Sequence, residues 1–170
     1  MKFSIIFVLL SVFTKAYASD EQFLLGPGDV IKIDVYNEPD LALQAKVANS
    51  GELRVPLLGN VRVAGKTVQQ LNDELESAYL DGYLVNPSVS VVVKAFRPFY
   101  VRGAVVSPGA YAFDFDMTVE QAIAVAKGLK DRASKRDWFI IRDSEKTRDK
   151  ALKGTKVRPG DIIEIEESIF

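Results

Sequence analysis

The chain has 170 residues, 48% of them hydrophobic and 26% charged, the composition of a globular protein rather than a disordered one. A formal net charge of −1 gives no reason to expect a nucleic-acid partner. With no histidine and no cysteine, the sequence excludes Ser-His-Asp and Cys-His catalysis, zinc sites of the usual ligand types, disulfides and lipid attachment through an N-terminal cysteine.

The first stretch reads as a processing segment. Lys2 gives a positive start, Ser4–Phe13 is an apolar run, and Ala16-Tyr17-Ala18 places small residues for a cut after Ala18. This is the three-part layout of a secretory signal peptide over residues 1–18. The apolar run is shorter than the roughly 20 residues a membrane-spanning helix needs. Cleavage removes Lys2 and Lys15 and leaves a more acidic chain. No later stretch is apolar enough for a spanning helix. The expected mature protein is soluble, or a peripheral part of an assembly, outside the cytoplasm.

Gly26-Pro27-Gly28-Asp29 is turn chemistry: proline fixes φ, glycine frees it, and aspartate bonds nearby backbone N–H groups. Val30–Tyr36 then alternates, with Ile31, Ile33 and Val35 on one face, as a half-buried strand does. Asn37-Glu38-Pro39-Asp40 is a turn, Leu41–Val47 a weak strand, and Asn49-Ser50-Gly51-Glu52 a hairpin turn returning into Leu53–Pro56. Pro56–Asn60 bends into Val61-Arg62-Val63. Thr67-Val68-Gln69-Gln70 has capping-box spacing, and Val68, Leu71, Leu75 and Ala78 form the apolar stripe of the helix it opens. Asp81-Gly82 ends that helix. Val89–Phe96 is a β-branched strand with Val89, Val91, Val93 and Ala95 on one face.

Arg97-Pro98 breaks the pattern and marks the expected boundary between domains 19–97 and 98–170. Phe99–Arg102 and Ala110–Phe113 read as strands. Thr118-Val119-Glu120-Gln121 repeats the capping box, Val119, Ala122, Ile123 and Ala126 line the second helix, and Gly128 suits its C-terminal turn. Trp138–Ile141 is a strand, and the charged stretch Ser144–Lys156 reads as an exposed hairpin or loop. Pro159-Gly160-Asp161 then repeats the opening turn and feeds Ile162–Ile165. The shared turn and cap read as convergent punctuation rather than as an internal repeat. The fold class is α+β, two small sheet-plus-helix domains.

No constellation argues for catalysis. Asp29, Asp34, Asp40 and Asp161 lack the facing-pair context of a glycosidase, and Asp29 and Asp161 are better explained as turn residues. Gly26-Pro27-Gly28 is not a phosphate loop, because a strand follows it and no Lys-Ser/Thr does. If Asp29 acts as a cap does, Asp29→Asn costs about 0.5–2 kcal/mol. Arg102, Arg132, Lys135 and Arg136 can form a basic patch for an anion, with solvated surface as the ordinary reading. Tyr79, Tyr83, Phe96, Phe99, Tyr100 and Trp138 can stack on sugar rings or serve as core. Tyr83, Tyr100, Arg102 and Trp138 are the candidate glycan contacts.

An ordered series of motifs carries a resemblance. Gly26-Pro27-Gly28-Asp29-Val30, Val55–Val61, Val63–Thr67 and Asn86-Pro87-Ser88-Val89 resemble the N-terminal domain of the bacterial outer-membrane polysaccharide export family (Wza-like proteins). Val101–Val105, Pro108–Tyr111, Thr118–Gly128 and Val157–Ile165 resemble the soluble-ligand-binding β-grasp (SLBB) module that follows it there. The resemblance implies a periplasmic component, associated with the outer membrane, of a capsule or exopolysaccharide export channel. It implies an oligomeric ring of identical subunits, passive passage of a polysaccharide polymer, an inner-membrane polysaccharide co-polymerase as partner, and neither enzyme activity nor a cofactor. Larger members carry a lipidated cysteine, further SLBB copies and a C-terminal membrane helix. This sequence has no cysteine and stops at Phe170, so a separate outer-membrane barrel partner is expected. Phe170 resembles the last residue of outer-membrane strands, a coincidence for one short strand.

Overall fold

The computed structural model describes residues 23–142 and 147–168. The expected signal peptide with its cut after Ala18, residues 143–146, which include the start of the charged stretch, and Phe170 lie outside the described residues.

The first half is a three-stranded antiparallel sheet with a helix on one face. Its order is β2 (Leu43–Lys46), β1 (Val30–Val35), β5 (Val89–Ala95), and a hairpin of β3 (Glu52–Val55) and β4 (Gly59–Arg62) packs beside it. The sequence places a strand from Leu41. Instead Pro39–Leu41 is a single 3-10 turn and the strand begins at Leu43. The cause is local: Pro39 occupies the first turn of that short helix, and Leu41 is drawn into the core.

Helix α1 (Val68–Leu80) starts where its cap predicts. Thr67 Oγ1 accepts from the Gln70 N–H at 3.1 Å, and the Thr67 N–H donates to Gln70 Oε1 at 2.9 Å. The stripe it buries is Leu71, Leu75 and Tyr79, with Val68 and Ala78 only partly covered. These pack on Ile31, Ile33, Val35, Val89 and Val91 of the sheet. Each such side chain contributes about 1.5–3 kcal/mol on leaving water. Tyr79 is fully buried and its hydroxyl donates to the Pro56 carbonyl at 3.1 Å, so it is core and not a sugar platform.

The second half is a five-stranded mixed sheet in the order β7 (Gly109–Tyr111), β6 (Phe99–Gly103), β10 (Ile162–Glu167), β8 (Ala133–Ile141), β9 (Arg148–Lys150). Its only parallel pair among the described strands is β10 with β6. Helix α2 (Val119–Val125) covers the inner face, where Val119, Ala122 and Ile123 meet Phe99, Val101, Ile140, Ile163 and Ile165. The second capping box is present at Thr118 and Gln121. The helix ends one residue earlier than the sequence suggests. Ala126 is the cap, Lys127 takes the left-handed conformation (φ 65°), and Gly128 follows (φ 88°). The Lys127 N–H donates to the Ala124 carbonyl and that of Gly128 to Ile123, which is a Schellman closure with lysine at the glycine position.

Each half has its own cluster of buried side chains, and the architecture is α+β. Among the described residues no helix is long and apolar enough to cross a membrane.

Candidate functional site

The two PGD turns are built alike. Pro27 and Pro159 sit at the second position. Gly28 (φ 98°) and Gly160 (φ 88°) sit at the third, where a type II turn needs positive φ. The Asp29 N–H closes on the Gly26 carbonyl at 3.2 Å and the Asp161 N–H on the Arg158 carbonyl at 3.1 Å. Each carboxylate then turns back to the start of its own turn. Asp29 Oδ2 accepts from the Gly26 N–H at 2.8 Å, and Asp161 Oδ2 from the Arg158 N–H at 2.8 Å.

Both carboxylates are buried, and a buried carboxylate needs a cation or several N–H donors. Asp29 finds Arg97: Oδ1 accepts the Arg97 backbone N–H at 2.7 Å and Oδ2 pairs with its guanidinium at 3.0 Å. Asp161 finds Arg142 at 3.3 Å. Burial pushes the Asp161 carboxyl above the ordinary aspartate range, and the Arg158 N–H and Arg142 only partly offset this. The neighbouring residue, Pro98, accepts from the Gly160 N–H at 3.2 Å, and Asp161 accepts the Tyr100 N–H on its carbonyl at 2.8 Å. The connection Arg97-Pro98 is thus gripped from one side by the first turn and from the other by the second.

Four aromatic rings extend this junction. Phe23 and Phe96 from the first half meet Phe113 and Phe115 from the second, with centroids 5.3–5.9 Å apart across the boundary. Most cross-boundary contacts are edge-to-face, the arrangement the ring quadrupoles favour. Phe23, Phe96 and Phe113 are half-buried and Phe115 is exposed, and with the two turns these rings make the halves share one seam.

The outer face of the five-stranded sheet is the other polar surface. Tyr100 and Arg102 stand two residues apart on β6, both exposed. Arg102 pairs with Glu164 at 3.3 Å, Glu164 with Arg148 at 3.0 Å, and Arg148 also binds Glu166. The Arg148 guanidinium lies 3.6 Å from the Phe139 ring centroid. Partial burial acts upward on Glu164, but hydrogen bonds from Arg148 and Arg102 outweigh it and hold its carboxyl below the usual range. The hydrogen bond that Arg148 donates to Glu166, and after it the one to Glu164, raises Arg148 further. This face is a fixed ion-pair lattice bordered by an open tyrosine.

The structure separates the candidate glycan residues. Tyr100 and Arg102 share the outer face, while Tyr83 is exposed beyond the end of α1 in the first half. Trp138 is a correction: it is 6% exposed in the second core, and its ring N–H donates to the Ser134 carbonyl at 2.8 Å. Both its apolar face and its one donor are used. Phe99 is likewise core. Sequence reasoning missed Arg97 and Arg142 as partners of the aspartates. The signal was present in Arg97, which stands at the pattern break, but only burial of Asp29 makes a cation obligatory.

Comparison with known proteins bears on this geometry. Residues 17–94 match the family described as polysaccharide biosynthesis/export protein, a span holding the first turn, α1 and nearly all of β5. The first half of the chain is thus similar to the polysaccharide export family. It is 34% identical over 86 residues to the exopolysaccharide production protein ExoF of Rhizobium meliloti (strain 1021), covering 49% of this chain and 20% of that protein. It is 27% identical over an alignment of 133 positions to the EPS I polysaccharide export outer membrane protein EpsA of Ralstonia solanacearum, covering 63% of this chain and 35% of EpsA. EpsA of Ralstonia nicotianae (strain ATCC BAA-1114 / GMI1000) matches over the same shares at 28% identity. The matched portion therefore spans about a fifth to a third of these relatives. The export-family match ends at residue 94, just before the Arg97-Pro98 clamp.

Proposed function

We propose that this protein is a periplasmic, outer-membrane-associated subunit of an exopolysaccharide or capsule export channel. Residues 19–97 are its polysaccharide export domain and residues 98–170 an SLBB domain. Identical subunits assemble into a ring, polymer passes through without covalent chemistry, and the ring works with an inner-membrane co-polymerase and a separate outer-membrane barrel. The observation that carries this reading is the export-family match over residues 17–94. The name of EpsA, an outer-membrane export protein, supports the location. The buried carboxylates support a non-catalytic reading, because Asp29 and Asp161 are consumed by backbone and arginine partners inside the turns. A seam of aromatic contacts and turn hydrogen bonds between the halves suits a subunit that must hold shape within a ring.

Deleting the gene tests it. Surface polysaccharide is expected to disappear while polymer synthesis continues, and undiminished surface polysaccharide would refute the reading. A second reading, a monomeric periplasmic glycan-binding module, draws on the exposed pair Tyr100 and Arg102. Light scattering separates the two: a clean monomer that binds oligosaccharide supports the module, and a defined higher oligomer supports the ring.

A further inference from the structure

The pairing of β10 with β8 is interrupted. Ile165 faces Trp138, but Glu167 faces Ala133, so Ser134–Asp137 is lifted out of the ladder as a bulge. The bulge is internally braced. Ser134 Oγ accepts the backbone N–H groups of Arg136 (3.2 Å) and Asp137 (3.0 Å) and donates to Asp137 Oδ2 at 2.8 Å. Bulges re-aim side chains, and this one presents Lys135 and Arg136 to solvent. Together with Arg132 they line a cleft of about 540 Å³. Arg132 also lines a neighbouring cleft of about 400 Å³ with Lys130.

The charge here is unbalanced in a way the rest of this half is not. Arg102, Arg142, Arg148, Lys150, Lys153 and Lys156 are each held in an ion pair. By contrast Lys127, Lys130, Arg132, Lys135 and Arg136, all within ten consecutive residues, have no ion-pair partner among the described residues. The carboxylates at hand are Asp131 and Glu167, which line the clefts, and Asp137, which is committed to Ser134 and Lys150 and also feels Arg136 beside it. The cations therefore exceed the uncommitted carboxylates at this place, in a chain whose net charge is −1.

We propose that this bulge and its cleft bind a segment of an acidic glycan, with sugar carboxylates received by Arg132, Lys135 and Arg136. Guanidinium groups match carboxylates in two-pronged geometry, and an open cleft suits a chain that must pass on rather than stay. The glycan nature of the anion rests on the export reading; the anion site itself does not.

The test is titration of the purified chain with a defined oligogalacturonate, its neutral methyl ester, and polyphosphate of equal charge. Oligogalacturonate is expected to bind, more weakly as salt rises, and the neutral ester not to bind. The triple variant Arg132→Ala, Lys135→Ala, Arg136→Ala is expected to lose about tenfold in affinity. The variant Lys94→Ala, Lys153→Ala, Lys156→Ala, with the same change in net charge, is expected to stay within about twofold. Trp138 fluorescence melts check that both variants fold. No binding at low salt, an equal loss in the second variant, or polyphosphate binding as tightly as oligogalacturonate overturns the proposal. Deletion that leaves surface polysaccharide intact while oligogalacturonate still binds the cleft removes the export reading alone. Loss of surface polysaccharide without binding removes the cleft alone.

Discussion

Replacing Asp29 with alanine removes the centre of the clamp on Arg97-Pro98. Three bonds go at once: those from the Gly26 N–H, the Arg97 N–H and the Arg97 guanidinium. Asp29 is fully buried and the Arg97 side chain is 20% exposed, so water reaches only part of what is left. Each stranded buried N–H costs about 1–3 kcal/mol. Removing one partner of a buried ion pair costs about 3–5 kcal/mol. The guanidinium retains some solvent and the Leu24 carbonyl at 3.5 Å, which discounts the sum. The expected loss is therefore about 3–5 kcal/mol, a large share of the roughly 5–15 kcal/mol that holds a domain folded. Asp29→Asn keeps one acceptor but turns an amide donor toward a donor, and is expected to cost about 2–3 kcal/mol. That exceeds the 0.5–2 kcal/mol of a cap-like aspartate, because this one spans 68 residues rather than a single turn. Urea unfolding followed by both circular dichroism and Trp138 fluorescence is the assay. Trp138 lies in the second core, so a shared seam predicts that both signals shift. An Asp29→Ala protein within about 1 kcal/mol of wild type would refute the burial argument, and a shift in circular dichroism alone would refute the coupling of the halves.

Three further outcomes are expected. Gly103→Ala should be severely destabilising, by about 3 kcal/mol or more: Gly103 has φ 89°, and a Cβ there would lie 2.1 Å from the Ile165 carbonyl oxygen of the paired strand. Thermal melts check this, and a near-native melting temperature would show that β6 and β10 part easily. Lys127→Gly should stabilise by about 0.5–1 kcal/mol by relieving the left-handed lysine in the closure of α2; no gain in the urea midpoint counts against that reading. Asp161 should give a pH signature. Burial disfavours its ionised form, so the folded protein takes up the proton at higher pH than the unfolded chain does. Its contribution to stability therefore rises as pH falls through the folded pKa and levels off below the unfolded one. The urea midpoint of wild type minus that of Asp161→Asn should increase between about pH 7 and about pH 4, and a decrease would reverse the assigned cause.

Local physics wrote much of this protein into its sequence. Thr67 with Gln70, and Thr118 with Gln121, fix both helix starts because a capping box needs only residues three apart. The alternation of Ile31, Ile33 and Val35 fixes which face of β1 is buried. Pro27-Gly28 and Pro159-Gly160 set two equivalent turns for the same reason. The ordered turn and strand motifs also carried the resemblance to the export family. What depends on distant partners was not legible. Period and composition allow Trp138 and Tyr79 to be ligand platforms, and only the packed cores claim them. The lifted bulge at Ser134–Asp137 exists because β10 pairs across it, which no local signal specifies. Above all, the sequence presents Asp29 and Asp161 as turn residues, each complete within four positions. Folding buries both, and burial is what obliges Asp29 to take Arg97 and Asp161 to take Arg142. Two local turns thereby become the two sides of one clamp on the connection between the halves.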